Sequence, residues 1–269
     1  MYLRKIAHNQ VFKNLLFTIG LSVISSWYYI GYANAVSSET SSIGMLIFLT
    51  YSSLEFSSIK HVIPVLIWML PQFFLVYILG QSINNSFRNN AKYIFTRTNN
   101  RTKWLMKNVN QLFLNNFLFF IVHFSVVILM GYLNGMLIKT SYGLLIIGVV
   151  FFLQVSVSYL LLLVINISSL FFNLTYSYAV ILSLHIFSIM IIGIIGELTP
   201  QYLVLCKWLP VSHIFLAWHD LKMIEDFQSI LTINYIQRFD LIFSIGYLLV
   251  CYLVIIWISI ARIKKIDIY

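Results

Sequence analysis

Hydrophobic residues form six long runs along the chain, and none of these runs contains Asp, Glu, Lys or Arg. Each run has roughly 20 residues, the number that an α-helix rising about 1.5 Å per residue needs to cross a bilayer core about 30 Å thick. No run alternates polar and apolar residues as a membrane β-strand would. Pro71 lies inside the second run and predicts a kink there, because proline lacks the N–H of a helical hydrogen bond. The pattern predicts six transmembrane helices, at residues 15–33, 62–83, 111–133, 142–165, 177–196 and 241–261.

The composition is typical of a chain embedded in lipid. Hydrophobic residues make up 60% of the chain and charged residues 9%, and the mean hydropathy is +0.89. An ordinary soluble domain has about 25% charged residues. So few charges cannot cover the surface of a soluble protein of this size, and no long polar segment is available for a second domain. We therefore expect residues 1–269 to form one all-α, polytopic membrane domain.

The net charge of +9 is distributed unevenly between the two sides of the predicted bundle. The segments at one side hold twelve basic residues and one acidic residue, a net charge of +11. The segments at the other side hold five basic and seven acidic residues, a net charge of −2. Basic residues are retained on the cytoplasmic side of membrane proteins. The charge therefore predicts topology, with both termini cytoplasmic in a bacterial cytoplasmic membrane, and does not indicate binding to nucleic acid.

The N-terminal residues 1–13 are amphipathic and precede the first run. Apolar side chains fall near one face of a possible helix, while Arg4, Lys5 and Lys13 are available to lipid phosphates. This pattern predicts a short interfacial helix on the inner leaflet. The following run of residues 15–33 is longer than the apolar core of a usual signal peptide, so we expect an uncleaved first span.

Few side chains in this sequence suggest catalysis or ion coupling. His123 and His185 lie alone on separate predicted spans, which favours neutral, hydrogen-bonded histidines over a proton relay. His213 and His219 are six residues apart, so on a regular helix they would point about 240° apart and could not share a metal ion without a bend. No glycine opens the phosphate-binding pattern G-x-x-x-x-G-K-[ST], so we do not expect this chain to hydrolyse ATP.

Two segments outside the spans carry the most information. Residues 84–110 hold six basic residues and no acidic residue, which suits either contact with anionic lipid or docking of a soluble subunit. Residues 197–240 contain short apolar stretches bracketed by Pro200 and Pro210, too short to span and expected to be re-entrant or interfacial helices. Ser212 is placed to cap one of them, and Trp208 and Trp218 are expected at headgroup depth.

The six spans and these two segments resemble the bacterial ABC-2 type permeases, the membrane subunits of a class of ABC transporters. In that family the loop between spans two and three forms a coupling helix, which reads as Glu-Arg, a hydrophobic stretch, Thr-Pro-x-Ser-Arg and a later Lys. This chain lacks the acidic residue before Arg88 and has Arg97 in place of the Pro. The matching positions are Arg88, Tyr93-Ile94-Phe95, Thr96, Asn100-Arg101 and Lys107, and KWLPVSHI resembles the family's Leu-Pro-x-Ser stretch.

The resemblance implies a permease subunit of an ATP-driven exporter. It would pair with a second permease copy or paralogue and with two separate ATPase subunits, which would hold the ATP and Mg, so that no cofactor is expected in this chain. The resemblance implies that the ATPase docks on Arg88, Tyr93, Phe95, Arg97, Arg101, Trp104 and Lys107, and that an outer gate contains Pro200, Trp208, Pro210 and Ser212.

Spans without charged residues suit an amphipathic or hydrophobic substrate, such as a bacteriocin-like peptide that is exported or removed in self-immunity. Two other functions remain open on the sequence. A non-catalytic immunity or partner protein of the membrane would need no coupling helix. An intramembrane enzyme would need titratable residues that converge on one cavity.

Overall fold

The computed structural model of the chain describes residues 2–36, 42–60, 62–88, 101–138, 141–225 and 235–263. Within these ranges the fold is all-α, with no strand and a single isolated β-bridge between Ser42 and Leu137. The described helices are α1 (Tyr2–Val36), α2 (Ile43–Ser52), α3 (Val62–Leu79), α4 (82–88), α5 (Arg101–Leu133), α6 (Ser141–Phe171), α7 (Leu174–Leu198) and α8 (Leu241–Ile263).

The prediction of a six-span, all-α membrane protein is confirmed. Six helical regions are long and apolar enough to cross a membrane, and each coincides with one of the predicted runs. The helices extend beyond the runs, most clearly in α5, which begins ten residues earlier than the predicted third span. Charged and polar residues can continue a helix outside lipid, so a boundary set by hydrophobicity alone is too short at such ends.

The separate interfacial helix that we expected at the N-terminus is not present as such. Residues 2–13 belong to the same continuous helix as the first span, which is 35 residues long. No Pro or Gly stands between Tyr2 and Gly20 to interrupt the helical hydrogen bonds. The amphipathic pattern of this stretch therefore marks the end of a long helix rather than a second element.

The second span is interrupted, but not at Pro71. α3 remains helical through Pro71, and the helix breaks at Gly80 and Gln81 before α4 begins. Asn166 of α6 repairs this break, since its amide nitrogen donates to the carbonyl of Leu79 at 2.9 Å and its amide oxygen accepts from the backbone N–H of Ile83 at 2.9 Å. A break inside the bundle is tolerated because one buried side chain satisfies the backbone on both sides.

Helix α2 is the main element that the sequence pattern did not predict. All ten of its residues are buried, and it packs against α1, α5 and α6. Ser42 caps its N-terminus by accepting a hydrogen bond from the backbone N–H of Met45 at 3.2 Å. With ten residues α2 is too short to cross a bilayer; it begins beside Leu137, which follows the end of α5, and runs into the bundle.

The connection between α2 and α3 packs closely against α7 at two glycines. A Cβ atom added to Gly193 would lie 2.6 Å from Cγ2 of Ile59, and one added to Gly196 would lie 2.6 Å from Cγ of Phe56. Small residues allow this approach, as at many helix contacts in membranes. The two glycines thus fix how closely this connection can sit on α7.

We expect Gly193→Ala to destabilise the protein through this overlap with Ile59. Overpacking of this kind costs about 1–3 kcal/mol, which corresponds to a melting temperature lower by roughly 2–10 °C in detergent. Gly148→Ala on α6 is the matched control, because a Cβ at Gly148 meets no atom within 4 Å. An equal loss of melting temperature in both variants would show that the contact with Ile59 is not responsible.

Candidate functional sites at the two ends of the bundle

One end of the bundle carries a basic surface built from the ends of three helices. A guanidinium nitrogen of Arg101, the first residue of α5, donates to the carbonyl of Ile263, the last residue of α8, at 3.4 Å. The rings of Phe87 on α4 and Trp104 on α5 are 5.9 Å apart. These contacts bring the helix ends together, and the described basic residues on them are Arg88, Arg101, Lys103, Lys107 and Arg262.

The structure divides the predicted docking residues into supporting and exposed ones. Trp104 is 7% exposed and packs beneath the surface against Phe87, so it supports the surface rather than forming part of it. Arg88 and Lys107 are exposed, and Arg101 is half-buried. Three further predicted docking residues, Tyr93, Phe95 and Arg97, lie outside the described residues.

The described carboxylates are all at the opposite end of the bundle. They lie where α7 ends, where α8 begins and in the connections at that end: Glu55, Glu197, Asp220, Glu225 and Asp240. The separation of charge that the sequence predicted therefore holds for the described residues. We refer below to the basic end and the acidic end of the bundle.

The acidic end is closed by a segment that enters the bundle without a regular helix. Residues 200–219, here called the re-entrant segment, form 3-10 turns at Pro200–Trp208, Pro210–Ile214 and Leu216–Trp218. Residues 211–219 are all buried. Pro210 and Val211 share a cavity of about 200 Å³ with Leu160 near the middle of α6 and His185 near the middle of α7. The segment is therefore re-entrant, as predicted, and reaches towards the centre of the bundle.

Side chains around the end of α2 hold the re-entrant segment in place. The hydroxyl of Ser52 accepts from the backbone N–H of Leu216 at 2.7 Å and donates to the carbonyl of Ile214 at 3.3 Å. The indole N–H of Trp218 donates to the carbonyl of Leu54 at 2.8 Å. The last turn of α2 and the re-entrant segment thus satisfy each other's backbone groups away from water.

The carbonyl of Tyr51 at the end of α2 accepts from two other helices. The indole N–H of Trp68 on α3 donates at 3.0 Å, and the side-chain amide of Gln154 on α6 donates at 2.5 Å. The phenol of the same residue is hydrogen-bonded to Nδ1 of His123 on α5. One residue therefore links α2 to α3, α5 and α6.

The predicted gate residues occupy different positions in the re-entrant segment. Pro200 and Pro210 are exposed and begin two of the 3-10 turns, and Trp208 is exposed and contacts the rings of Phe243 and Tyr247. The prediction that Ser212 caps a helix is wrong, because its hydroxyl donates to the carbonyl of Cys206 at 2.6 Å inside the turn.

Trp218 also differs from its expected place. The prediction that Trp218 lies at headgroup depth is wrong, because this side chain is fully buried. Its ring packs on Phe215 and Phe56, with centroids 4.0 and 5.2 Å away. The indole finds its hydrogen-bond acceptor in the backbone of the chain rather than in the headgroup region, because the re-entrant segment carries it inward.

His213 and His219 meet at one residue, which the sequence argument did not anticipate. Nδ1 of His213 and Nε2 of His219 lie 2.9 and 2.8 Å from Oγ of Ser244, in the first turn of α8. The extended backbone at Phe215 provides the bend that a regular helix would lack. The ring of His219 stacks on Phe239 at 4.0 Å, and that of His213 stacks on Tyr247 at 4.4 Å.

Both histidines of this pair are held in the neutral form by burial. Burial lowers the pKa of His213 to about 3, with the neighbouring His219 acting in the same direction and the Lys207 backbone in the opposite one. Burial also lowers the pKa of His219 to about 4, against opposing effects of the Phe215 and Leu216 backbone and of Asp240. Each neutral imidazole can act as both a donor and an acceptor.

The two histidines of the spans are hydrogen-bonded within the bundle, as predicted. His123 bonds to Tyr51, and Nε2 of His185 lies 3.0 Å from the side-chain oxygen of Gln72. Among the described residues, no group of three or more His, Cys, Asp or Glu side chains could hold a metal ion.

Residues 19–269 match a family of proteins of unknown function, DUF2705. The chain belongs to the DUF2705 family. No curated protein and no solved structure matches the chain. In this DUF2705 protein the family region covers the first span from residue 19 onward, the other five spans, the basic surface and the re-entrant segment, so both candidate sites lie within it.

In the DUF2705 protein, we expect Ser52→Ala to lower stability because it leaves the buried N–H of Leu216 without its acceptor. An unsatisfied buried group of this kind costs about 1–3 kcal/mol, to be measured as a lower melting temperature in detergent. Ser188→Ala is the matched control, because its hydroxyl bonds only to the carbonyl of Leu184 in its own helix. A melting temperature unchanged by Ser52→Ala would contradict the assigned role.

Proposed function

We propose that this protein is the permease subunit of an ATP-driven exporter of the ABC-2 type. The observation that carries the proposal is the basic surface, where the ends of α4 and α5 present Arg88, Lys103 and Lys107 and the end of α8 presents Arg262. Within the described residues of this end there is no carboxylate. A rigid patch of one charge, formed by the ends of membrane-crossing helices, is suited to a soluble subunit with a complementary acidic surface.

The packing supports transmission from this surface to the acidic end. The Phe87–Trp104 contact joins α4 to α5, and the Arg101 bond to Ile263 joins α5 to α8. α5 then contacts α2 through His123 and Tyr51, while α8 contacts the re-entrant segment through Ser244. A push on the basic surface would therefore reach the re-entrant segment along two helices, which makes that segment the proposed outer gate.

The cavity beside the re-entrant segment supports an amphipathic substrate. Its volume is about 200 Å³, and its walls are apolar side chains of α6 and α7 with His185 and Ser188 as the polar groups. A pocket of this kind suits apolar groups and one hydrogen-bonding group better than a sugar or an ion. We propose a hydrophobic or amphipathic compound, such as a bacteriocin-like peptide, as the substrate.

The remaining parts of the proposal follow from the exporter function. A second copy or paralogue would complete the translocation path, and two ATPase subunits would supply ATP and Mg. The protein would lie in a bacterial cytoplasmic membrane, with lipid around the spans. The basic end, with both termini, would face the cytoplasm, as basic residues favour that side.

We expect Arg88→Gln/Lys107→Gln to leave membrane insertion intact and to reduce recovery of the ATPase about tenfold, because both cations are exposed on the proposed contact surface. The measurement is affinity purification from the native host, with quantification of a co-purified ATPase subunit that carries a phosphate-binding loop.

Lys222→Gln/Arg238→Gln is the matched control, since it removes two exposed cations at the acidic end. This control should recover as much ATPase as the unaltered protein. If the unaltered protein recovers no such ATPase, or if the first variant recovers as much as the control, the exporter proposal is wrong. Function as an immunity protein that acts by binding alone is then the better account.

A further inference from the structure

The contact between the re-entrant segment and α8 depends on a compact polar cluster. The Ser244 hydroxyl on α8 is hydrogen-bonded to His213, in the turn Pro210–Ile214, and to His219, which directly follows the turn Leu216–Trp218. All three side chains are fully buried. Other bonds between the segment and α8 are few, the clearest being that from the Tyr247 hydroxyl to the carbonyl of Trp208 at 2.7 Å. The cluster is therefore the main polar link between the proposed gate and α8.

The proton positions in the cluster follow by elimination. Nδ1 of His219 lies 2.9 Å from the carbonyl of Phe215, which only accepts, so Nδ1 carries the hydrogen. In a neutral ring Nε2 of His219 must then accept, and it takes the Ser244 hydroxyl proton. Because Ser244 has a single proton, its oxygen accepts from Nδ1–H of His213. Nε2 of His213 is left as an unprotonated nitrogen.

Nε2 of His213 is the last atom in the series of hydrogen bonds that runs from Phe215 through His219 and Ser244 to His213. Nε2 of His213 is buried and, among the described residues, no group meets it in hydrogen-bonding geometry, while the Lys207 backbone close to this ring favours its protonated form. An incoming proton would bind to Nε2 of His213, or it would bind to Nε2 of His219 in place of the hydrogen bond from Ser244. In the second case the Ser244 hydroxyl would turn to donate to the carbonyl of Asp240 at 3.3 Å. Either way a positive charge would appear between two imidazoles that water does not reach, and this is costly unless the cluster opens.

We propose that the His213–Ser244–His219 cluster is a proton-binding site that releases the re-entrant segment from α8 in acid. The closed arrangement holds both rings neutral, whereas the released arrangement exposes them to water and binds protons. A proton from outside the cell is therefore a ligand of the open gate. The assignment of this segment as an outer gate rests on the proposed exporter function, but the proton binding itself does not.

The charged and titratable groups around the cluster come from three elements. Asp240 precedes α8, and its charge favours protonated His219. Tyr247 of α8 stacks on His213. Lys207 and Cys206 belong to the preceding 3-10 turn, where the Lys207 amine lies 5.2 Å from the centre of the Phe243 ring. The two histidines are the groups of this set whose ordinary pKa lies near neutrality.

The direction and size of the effect follow from linkage. Exposed histidines have a pKa near 6.5, whereas burial lowers the pKa of His213 to about 3 and that of His219 to about 4. Between pH 7.5 and 5.5 the released state gains protons and the closed state does not. The ratio of released to closed protein therefore rises about tenfold for each histidine, or up to about 100-fold for both.

Cys206 is a natural reporter of this release. Its side chain is buried in the closed segment, and burial raises the pKa of the thiol to about 11. Cys251 is the second cysteine of the chain and is removed by Cys251→Ala. The experiment measures modification of Cys206 by 2,2′-dithiodipyridine, a disulfide reagent that reacts with thiols in acid, on the purified chain in nanodiscs. Each rate is divided by that of glutathione at the same pH.

We expect the corrected rate to rise up to about 100-fold from pH 7.5 to pH 5.5. His213→Asn should reduce this rise to about tenfold, and His8→Asn, a matched change at a histidine near the start of α1, should leave it unchanged. If the corrected rate of the protein with the unaltered cluster stays constant or falls from pH 7.5 to pH 5.5, the proposal is wrong. A rise with His213→Asn as large as that with the unaltered cluster would also overturn it. The purified chain is tested without an ATPase, so failure of the exporter proposal would not alter these outcomes.

Discussion

Backbone groups that leave a helix inside the bundle must find hydrogen-bond partners among side chains, because neither lipid nor water supplies them there. The structure meets this requirement at three breaks within the described part of the chain. Asn166 bridges the break in the second span, Trp68 and Gln154 donate to the end of α2, and Ser52 bonds to both sides of the bend at Phe215. These polar residues are therefore placed beside the irregular backbone that they satisfy.

This constraint also explains how the two ends of the molecule differ. At the basic end regular helices end at a charged surface, where water can bond to the backbone groups of their last turns. At the acidic end α2 and the re-entrant segment turn back inside the protein, and each buried turn needs its own side-chain partner. The proposed gate consequently depends on hydrogen bonds from Ser52, Ser244 and the Trp218 indole. A charge introduced at Ser244 would disturb several of them at once.

Run length and charge were sufficient to predict the six spans and the separation of charge, because both are properties of long segments. The buried α2 was not predicted, because a run of ten apolar residues is too short to count as a span and its helical structure depends on packing inside the bundle. The burial of Trp104 depends on Phe87 of another helix, and the meeting of His213 and His219 depends on a bend at Phe215 and on Ser244. Contacts between distant parts of the chain leave no periodic signal in the sequence.

Residues 211–219 lie inside the bundle, and their backbone hydrogen bonds are satisfied within the protein. Hydrogen–deuterium exchange of the protein in nanodiscs, followed by mass spectrometry of peptides from this segment, tests this arrangement most directly. We expect these peptides to exchange as slowly as peptides from the middle of α6, and residues 235–238, which form a more exposed turn, to exchange much faster. Exchange of residues 211–219 as fast as that turn would contradict their burial inside the bundle.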